Sequence, residues 1–290
     1  MHRIDTPTAQ KDKFGAGKNG FTRGNPQTGT PATELDDDYF DMLQEELATV
    51  VEATGVALDK AKRNQLLTAL NKLFPTTGRL LNVQTFTSSG TYTPTPGTKF
   101  VVVEVQGGGG GSGGLAATGS STGAASGGGS AGAYAMAKIT SEFSGVSITI
   151  GAKGYGGAPG VNNGSQGGNS SFGSHVVAPG GPGGIGGPAG SPPIVGYPGA
   201  QSSEPTGGNI VQYPGAAASS SLLVSLSSPI FGPGGSSRFG SGQRGNSSSL
   251  ISNAIGYGVG GGGSVNGVSA AALVGSNGSQ GIVIVWEYAE

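Results

Sequence analysis

Two stretches of this chain place a serine between glycines at the spacing of a serine nucleophile, Gly110-Gly111-Ser112-Gly113-Gly114 and Gly128-Gly129-Ser130-Ala131-Gly132. Such a serine needs a histidine base and a carboxylate to orient that base. Residues 88–290 supply one histidine, His175, no aspartate, and the glutamates Glu104, Glu142, Glu204, Glu287 and Glu290. The two serines therefore read as small spacers in glycine tracts. Glycan hydrolysis needs two carboxylates flanking the cleaved bond. Glu104 and Glu287 fall in strand-like segments, where they could face each other or solvent, and no spacing pairs them. The run Gly15-Ala-Gly17-Lys-Asn-Gly20 fits a phosphate-binding loop, which requires a strand before it and a helix after it. Here a polar stretch precedes and Phe21-Thr-Arg-Gly-Asn-Pro26 follows. Two histidines, His2 and His175, are too few for a histidine metal cluster, and the absence of cysteine removes thiolate sites. The expectation is a protein that binds rather than catalyses, with no cofactor and no metal.

Residues 191–235 offer binding chemistry instead. Their part 191–231 is poorer in glycine than its flanks, and they repeat an aromatic turn, Tyr197-Pro198-Gly199 and Tyr213-Pro214-Gly215. Two readings stand. The segment is a strand with its turns inside the core, or it is an exposed loop set at a tip. Aromatics on rigid turns anchor a partner at low entropic cost. On the second reading Tyr197, Gln201, Asn209, Tyr213 and Phe231 are the candidate contacts. Trp286, in the last strand-like segment, reads as a packing residue.

The elements that must hold these groups divide sharply. Of 60 glycines, 53 lie in residues 88–290, together with only 5 of the 15 Lys and Arg and 5 of the 16 Asp and Glu. The net charge of −1 and the lack of basic clusters argue against nucleic acid as a partner. The polar start predicts no signal peptide, and no apolar run nears the roughly 20 residues that span a bilayer.

Residues 1–33, broken by Pro7, Pro26 and Pro31, predict an extended arm with no core of its own. Residues 34–79 predict a helical hairpin. Its first helix, 34–54, carries Leu35, Tyr39, Met42, Leu43, Leu47, Val50 and Val51 in one stripe, with Asp36, Asp37 and Asp38 at its start. Its second, 58–74, is capped by Asp59 and stopped by Pro75. Residues 80–290 predict a mainly β domain, with strands near 100–105, 133–140, 146–150, 171–178 and 281–288. Its first and last strands are expected to pair. Between the strands run glycine tracts too long for tight turns. Packed as a polyglycine II (polyproline II-like) array, with three residues per turn and bare glycine faces, their backbones would bond to one another.

Residues 1–47, MHRIDTPTAQKDKFGAGKNGFTRGNPQTGTPATELDDDYFDMLQEEL, resemble the N-terminus of tail fibre proteins of phages and prophages of enterobacteria. The segments FTSSGTYTPTPGTKFVVVEVQGGGGG (86–111), AYAMAKI (133–139), SITIGAKGYGG (147–157), NSSFG (169–173) and GIVIVWEY (281–288) are similar to a glycine-rich domain of tail fibres and phage adhesins. The resemblance implies a polyglycine II array whose intervening loops touch a receptor. It implies an arm that docks to the tail baseplate, a homotrimer, location in the virion, and a host outer-membrane protein or lipopolysaccharide as receptor. A surface-polysaccharide hydrolase and a structural spacer of the tail are the alternatives.

Overall fold

The computed structural model of the chain describes residues 2–74, 78–247 and 253–289. The chain forms two compact units, Met1–Thr76 and Thr77–Glu290. Among the described residues no helix is long and apolar enough to cross a membrane.

In the first unit the expected extended arm is folded on itself. Gln10 and Gly20 exchange backbone hydrogen bonds at 2.9 Å, and Asn25 pairs with Thr30 around a short 3-10 turn at Pro26–Thr28. The Asn25 side chain caps that turn. Ile4 and Ala9 are buried, so this stretch has a small core that its polar composition concealed. Threonines tie it to the segment that leads into the helices: Thr8 Oγ1 accepts the amide of Glu34 at 2.6 Å.

The first helix, α1, spans Asp37–Glu52 and is capped by the Asp36 side chain, with Asp37 and Asp38 in its first turn where the dipole favours negative charge. The second, α2, spans Gln65–Leu73 and starts later than the predicted residue 58. Asp59 caps a separate turn by accepting the amide of Ala61, and its backbone holds the side chain of Gln65. That bonding competes with helix geometry, as short polar side chains do. Val51 and Ala69 are the helical residues that become buried, while Leu47, Leu67, Leu70 and Leu73 stay exposed. Pro75, the expected stop, lies outside the described residues.

The second unit is mainly β. Its largest sheet has five antiparallel strands, numbered here within that sheet: β1 (Leu80–Phe86), β2 (Phe100–Gln106), β3 (Tyr134–Ile139), β4 (Val211–Tyr213) and β5 (Ile282–Tyr288), in the order β1-β5-β2-β3-β4. The first and last of the long strands pair, Val83 opposite Trp286. One face carries Val101, Val103, Val105, Ala135, Ala137, Val283 and Val285, all buried in one core with Tyr92 and with Ile148, Phe172 and Val176 of a smaller sheet. Entry and exit are joined: Gly78 donates to the carbonyl of Ala289, and Ala289 donates to that of Arg79.

Beyond Gln106, β2 runs on into a glycine tract that no longer pairs as a ladder. Gly107, Gly110 and Gly113 donate to Ala133, Ser130 and Gly127. Gly108, Gly111 and Gly114 donate to Gly168, Ser165 and Asn162. Gly109, Ser112 and Leu115 donate to Ser279, Ser276 and Leu273, and all nine bonds measure 2.8–3.0 Å. The carbonyls point to other tracts: those of Gly108, Gly111 and Gly114 accept from Gly181, Gly184 and Gly187, and those of Gly109, Ser112 and Leu115 from Gly154, Gly157 and Gly160. The partner thus changes at every residue and returns at every third, the period of a helix with three residues per turn. Buried backbone groups in the middle of the bundle find partners without side chains.

Candidate binding surface

The bonding registers fix where each chain reversal falls. Leu115, the last residue of the central tract, meets Gly160, Gly187 and Leu273, so this level is the end of the bundle remote from the five-stranded sheet. Among the described residues five reversals gather there, at 116–122, 158–163, 188–195, 224–229 and 267–272. The hairpin at 224–229 is placed by Leu223, which pairs with both Ile194 and Pro229. Beneath these loops Ala125, Leu223 and Val265 form a second, small core, with Ile194 and Phe231 packed against it.

The loops are held by short polar side chains. Thr118 Oγ1 donates to the carbonyl of Gly267 at 2.6 Å and accepts the amide of Ala270 at 2.9 Å. The Asn266 amide donates to the carbonyls of Ala116 and Ala271, and Asn162 to those of Ala158 and Pro159. The surface they present is uncharged: none of the five loops contains Asp, Glu, Lys, Arg or an aromatic residue. Val161, Val195, Val224, Leu226, Ile230 and Val268 are exposed at or beside it. An uncharged aliphatic surface on a bonded scaffold can bury apolar area against a partner at little entropic cost. It offers no group for acid–base chemistry.

The sequence-predicted contact residues are not brought together. Tyr197 and Gln201 are exposed along a flanking tract; the Tyr197 carbonyl accepts from Ile185, and Gly199 donates to Gly128, so this Tyr-Pro-Gly segment is laid into the bundle rather than projecting from it. Asn209 and Tyr213 lie at the opposite end, on the five-stranded sheet. The Asn209 amide pairs with both backbone groups of Lys138, at 2.8 Å each, and so continues the edge of β3. Tyr213 stacks on Tyr134 with centroids 5.2 Å apart. Phe231 is half-buried in the small core. The expectation of one tip over 191–235 is corrected: only its parts 191–195 and 224–229 reach the remote end. The loops 116–122, 158–163 and 267–272 were missed. Their signal is positional, since successive breaks in the glycine tracts must fall at alternate ends when the tracts run back and forth.

The other candidates resolve locally. Ser112 and Ser130 are buried; Ser112 Oγ accepts the amide of Ser276, and Ser130 Oγ donates to the carbonyl of Gly199. Glu104 and Glu287 lie on opposite faces of the large sheet, Glu104 opposite Ile284 and Glu287 opposite Val101, so they do not form a pair. Glu104 accepts from Tyr134 at 2.8 Å and from the indole of Trp286 at 3.1 Å. Burial would raise the Glu287 carboxyl, but hydrogen bonds from Thr95, Tyr92 and Gln84 outweigh it and hold the carboxyl below its ordinary value. The phenols of Tyr92 and Tyr134 are pushed well up by burial and by those glutamates.

The model of the family described as "Glycine-rich domain" matches residues 84–288. The chain belongs to the glycine-rich domain family. The matched span begins inside β1 and ends at the last residue of β5, so the glycine-rich domain contains both the large sheet and the bundle with its loops. The uncharacterized protein StfP of Escherichia coli (strain K12) is 81% identical over 73 residues, which are 25% of this chain and 35% of StfP. The chain therefore matches about a third of that relative's length.

Proposed function

We propose that the chain is a tail fibre protein of a phage or prophage, carried in the virion, which attaches to the tail baseplate through its first unit and binds a host bacterial surface through the remote loops of its glycine-rich domain. The observation that carries this reading is the gathering of five loops at the pole opposite the chain's entry at Gly78. The tail-fibre resemblance of residues 1–47 and membership of the glycine-rich domain family support it. We infer that the bonded tracts are a polyglycine II array, because their partners repeat every third residue. The chain acts by adhesion and not as an enzyme, and works as a homotrimer, whose copies add their contacts through avidity. The exposed leucines of the helices, Leu47, Leu67, Leu70 and Leu73, suit contact with further copies.

Between an outer-membrane protein and lipopolysaccharide, the loops favour the protein. Phosphate groups are recognised by Arg and Lys, and sugar faces by aromatic rings, and the loops contain neither. Particles carrying Leu226→Asp and Val268→Asp are expected to lose most of their adsorption to host cells, while Tyr197→Ala particles keep it. Full adsorption by the aspartate variants would sink the reading and favour a structural spacer. Release of soluble glycan from host envelopes would favour the hydrolase.

A further inference from the structure

His2, Asp5 and Asp36 bring an imidazole nitrogen and two carboxylate oxygens within 4.8 Å of one another. We propose that these three side chains form a binding site for a first-row divalent cation of the zinc kind. Bonds of about 2.0–2.2 Å place the ligand atoms around such an ion roughly 3–4 Å apart, so small rotations close this triad on a metal.

The ligands come from two segments that the fold fixes next to each other. Ile4, between His2 and Asp5, is 1% exposed and anchors the start of the chain. Tyr39, in the first turn of α1, takes the ring of His2 edge-on at 6.0 Å and that of Phe21 at 5.3 Å. Asp36 is held as the helix cap, with Oδ1 accepting the amide of Asp38 at 3.2 Å, which leaves Oδ2 for an ion. The three side chains are exposed or half-buried, so an ion can enter and keep water at its remaining positions.

The donor set selects the metal. Calcium and magnesium take oxygen ligands, whereas an imidazole with two carboxylates suits zinc, cobalt, manganese or iron in the divalent state. A bound ion also offsets the repulsion between the two aspartates and joins residues 2–5 to the cap of α1. It therefore stabilises the first unit by mass action. The inference is independent of the receptor-binding reading, since the triad lies in the other unit.

The test uses the full-length chain, stripped of metal with a chelator and titrated with Co²⁺. One Co²⁺ per chain is expected, seen by its visible absorption and displaced by Zn²⁺, with Zn²⁺ raising the temperature at which the helical circular dichroism is lost. Asp5→Asn and Asp36→Asn are each expected to weaken binding at least tenfold. Asparagine is itself a good helix cap, so Asp36→Asn keeps α1. If that variant nonetheless lost helix, Asp5→Asn, outside the helix, decides alone. His175→Ala is expected to bind as the parent does. No saturable cobalt spectrum at micromolar concentration, or binding that survives Asp5→Asn and is lost only with His2→Ala, would overturn the triad.

Discussion

Tyr92 donates its phenol hydrogen to Glu287 Oε1 at 2.6 Å, across 195 positions of sequence. The same oxygen accepts from Gln84 Nε2 at 2.8 Å and from the amide of Thr95 at 3.2 Å. One carboxylate in the last strand therefore gathers the first strand and the segment that follows it.

This carboxylate makes stability depend on pH in a defined direction. Its folded pKa is depressed, so its contribution is present above the unfolded value of about 4.3 and is lost as pH falls through the folded value. Glu287→Leu is expected to cost about 3 kcal/mol at pH 7, because the Tyr92 hydroxyl and the Thr95 amide lose their acceptor. The gap between parent and variant should shrink below pH 4 in denaturation curves. A gap constant from pH 7 to pH 3 would show that the charge of Glu287 does not stabilise the fold.

Glycines in the middle of the bundle should be irreplaceable, while positions on its flanks should not be. A Cβ on Gly109 would overlap the carbonyl of Val259, and one on Gly129 would overlap that of Gly110. Neither backbone can move without breaking its own bonds. Gly109→Ala is expected to cost about 3 kcal/mol or more, the upper range of overpacking. Gln166→Ala, at an exposed flank position, should fall within about 0.5 kcal/mol of the parent. Chemical denaturation of both variants measures the contrast.

The amides of 107–114 and 127–132 should exchange with solvent at least ~10³-fold more slowly than those of the remote loop 224–229, since only global opening frees them. Mass-spectrometric exchange resolves this by peptide. Equal rates in tract and loop would mean that the bonds between tracts are not maintained in solution.

The two Tyr-Pro-Gly tyrosines should separate. Tyr213→Ala removes a ring stacked on Tyr134 and is expected to cost about 1–2 kcal/mol. Tyr197 is 62% exposed, so Tyr197→Ala should leave the melting temperature unchanged.

How deep a tract lies in the bundle can be read from its letters. The tracts buried at every position, around 107–114, 127–132 and 259–264, are almost pure glycine, serine and alanine. The tract 180–187 alternates two glycines with one larger residue, and its buried positions 180, 181, 184, 186 and 187 include the threefold series 181, 184 and 187. The tract 151–157 has glycine at each of its buried positions, 151, 154 and 157, with Ala152, Lys153 and Tyr155 turned outward and Gly156 half-buried. Which tract lies beside which was not legible, because a glycine face carries no side chain to specify its partner. The strands of the large sheet were legible from their valines and aromatics. The remote loops were not, since Ser, Ala, Thr and Val at a reversal differ little from the same residues in a tract. Residues 1–33 misled because their core rests on a few residues, such as Ile4 and Ala9, with side-chain bonds from threonines, and leaves no periodic pattern.

The bond between Gly78 and Ala289 brings both ends of the glycine-rich domain to one place on its surface. Among the described residues its sheets are built from strands after Gly78, with none borrowed from the residues before it. A single recombination breakpoint just upstream of Gly78 would move the whole glycine-rich domain onto another N-terminal segment as a cassette. Two genes that share the first unit could then exchange glycine-rich domains in one crossover, without either having to refit a seam inside the domain.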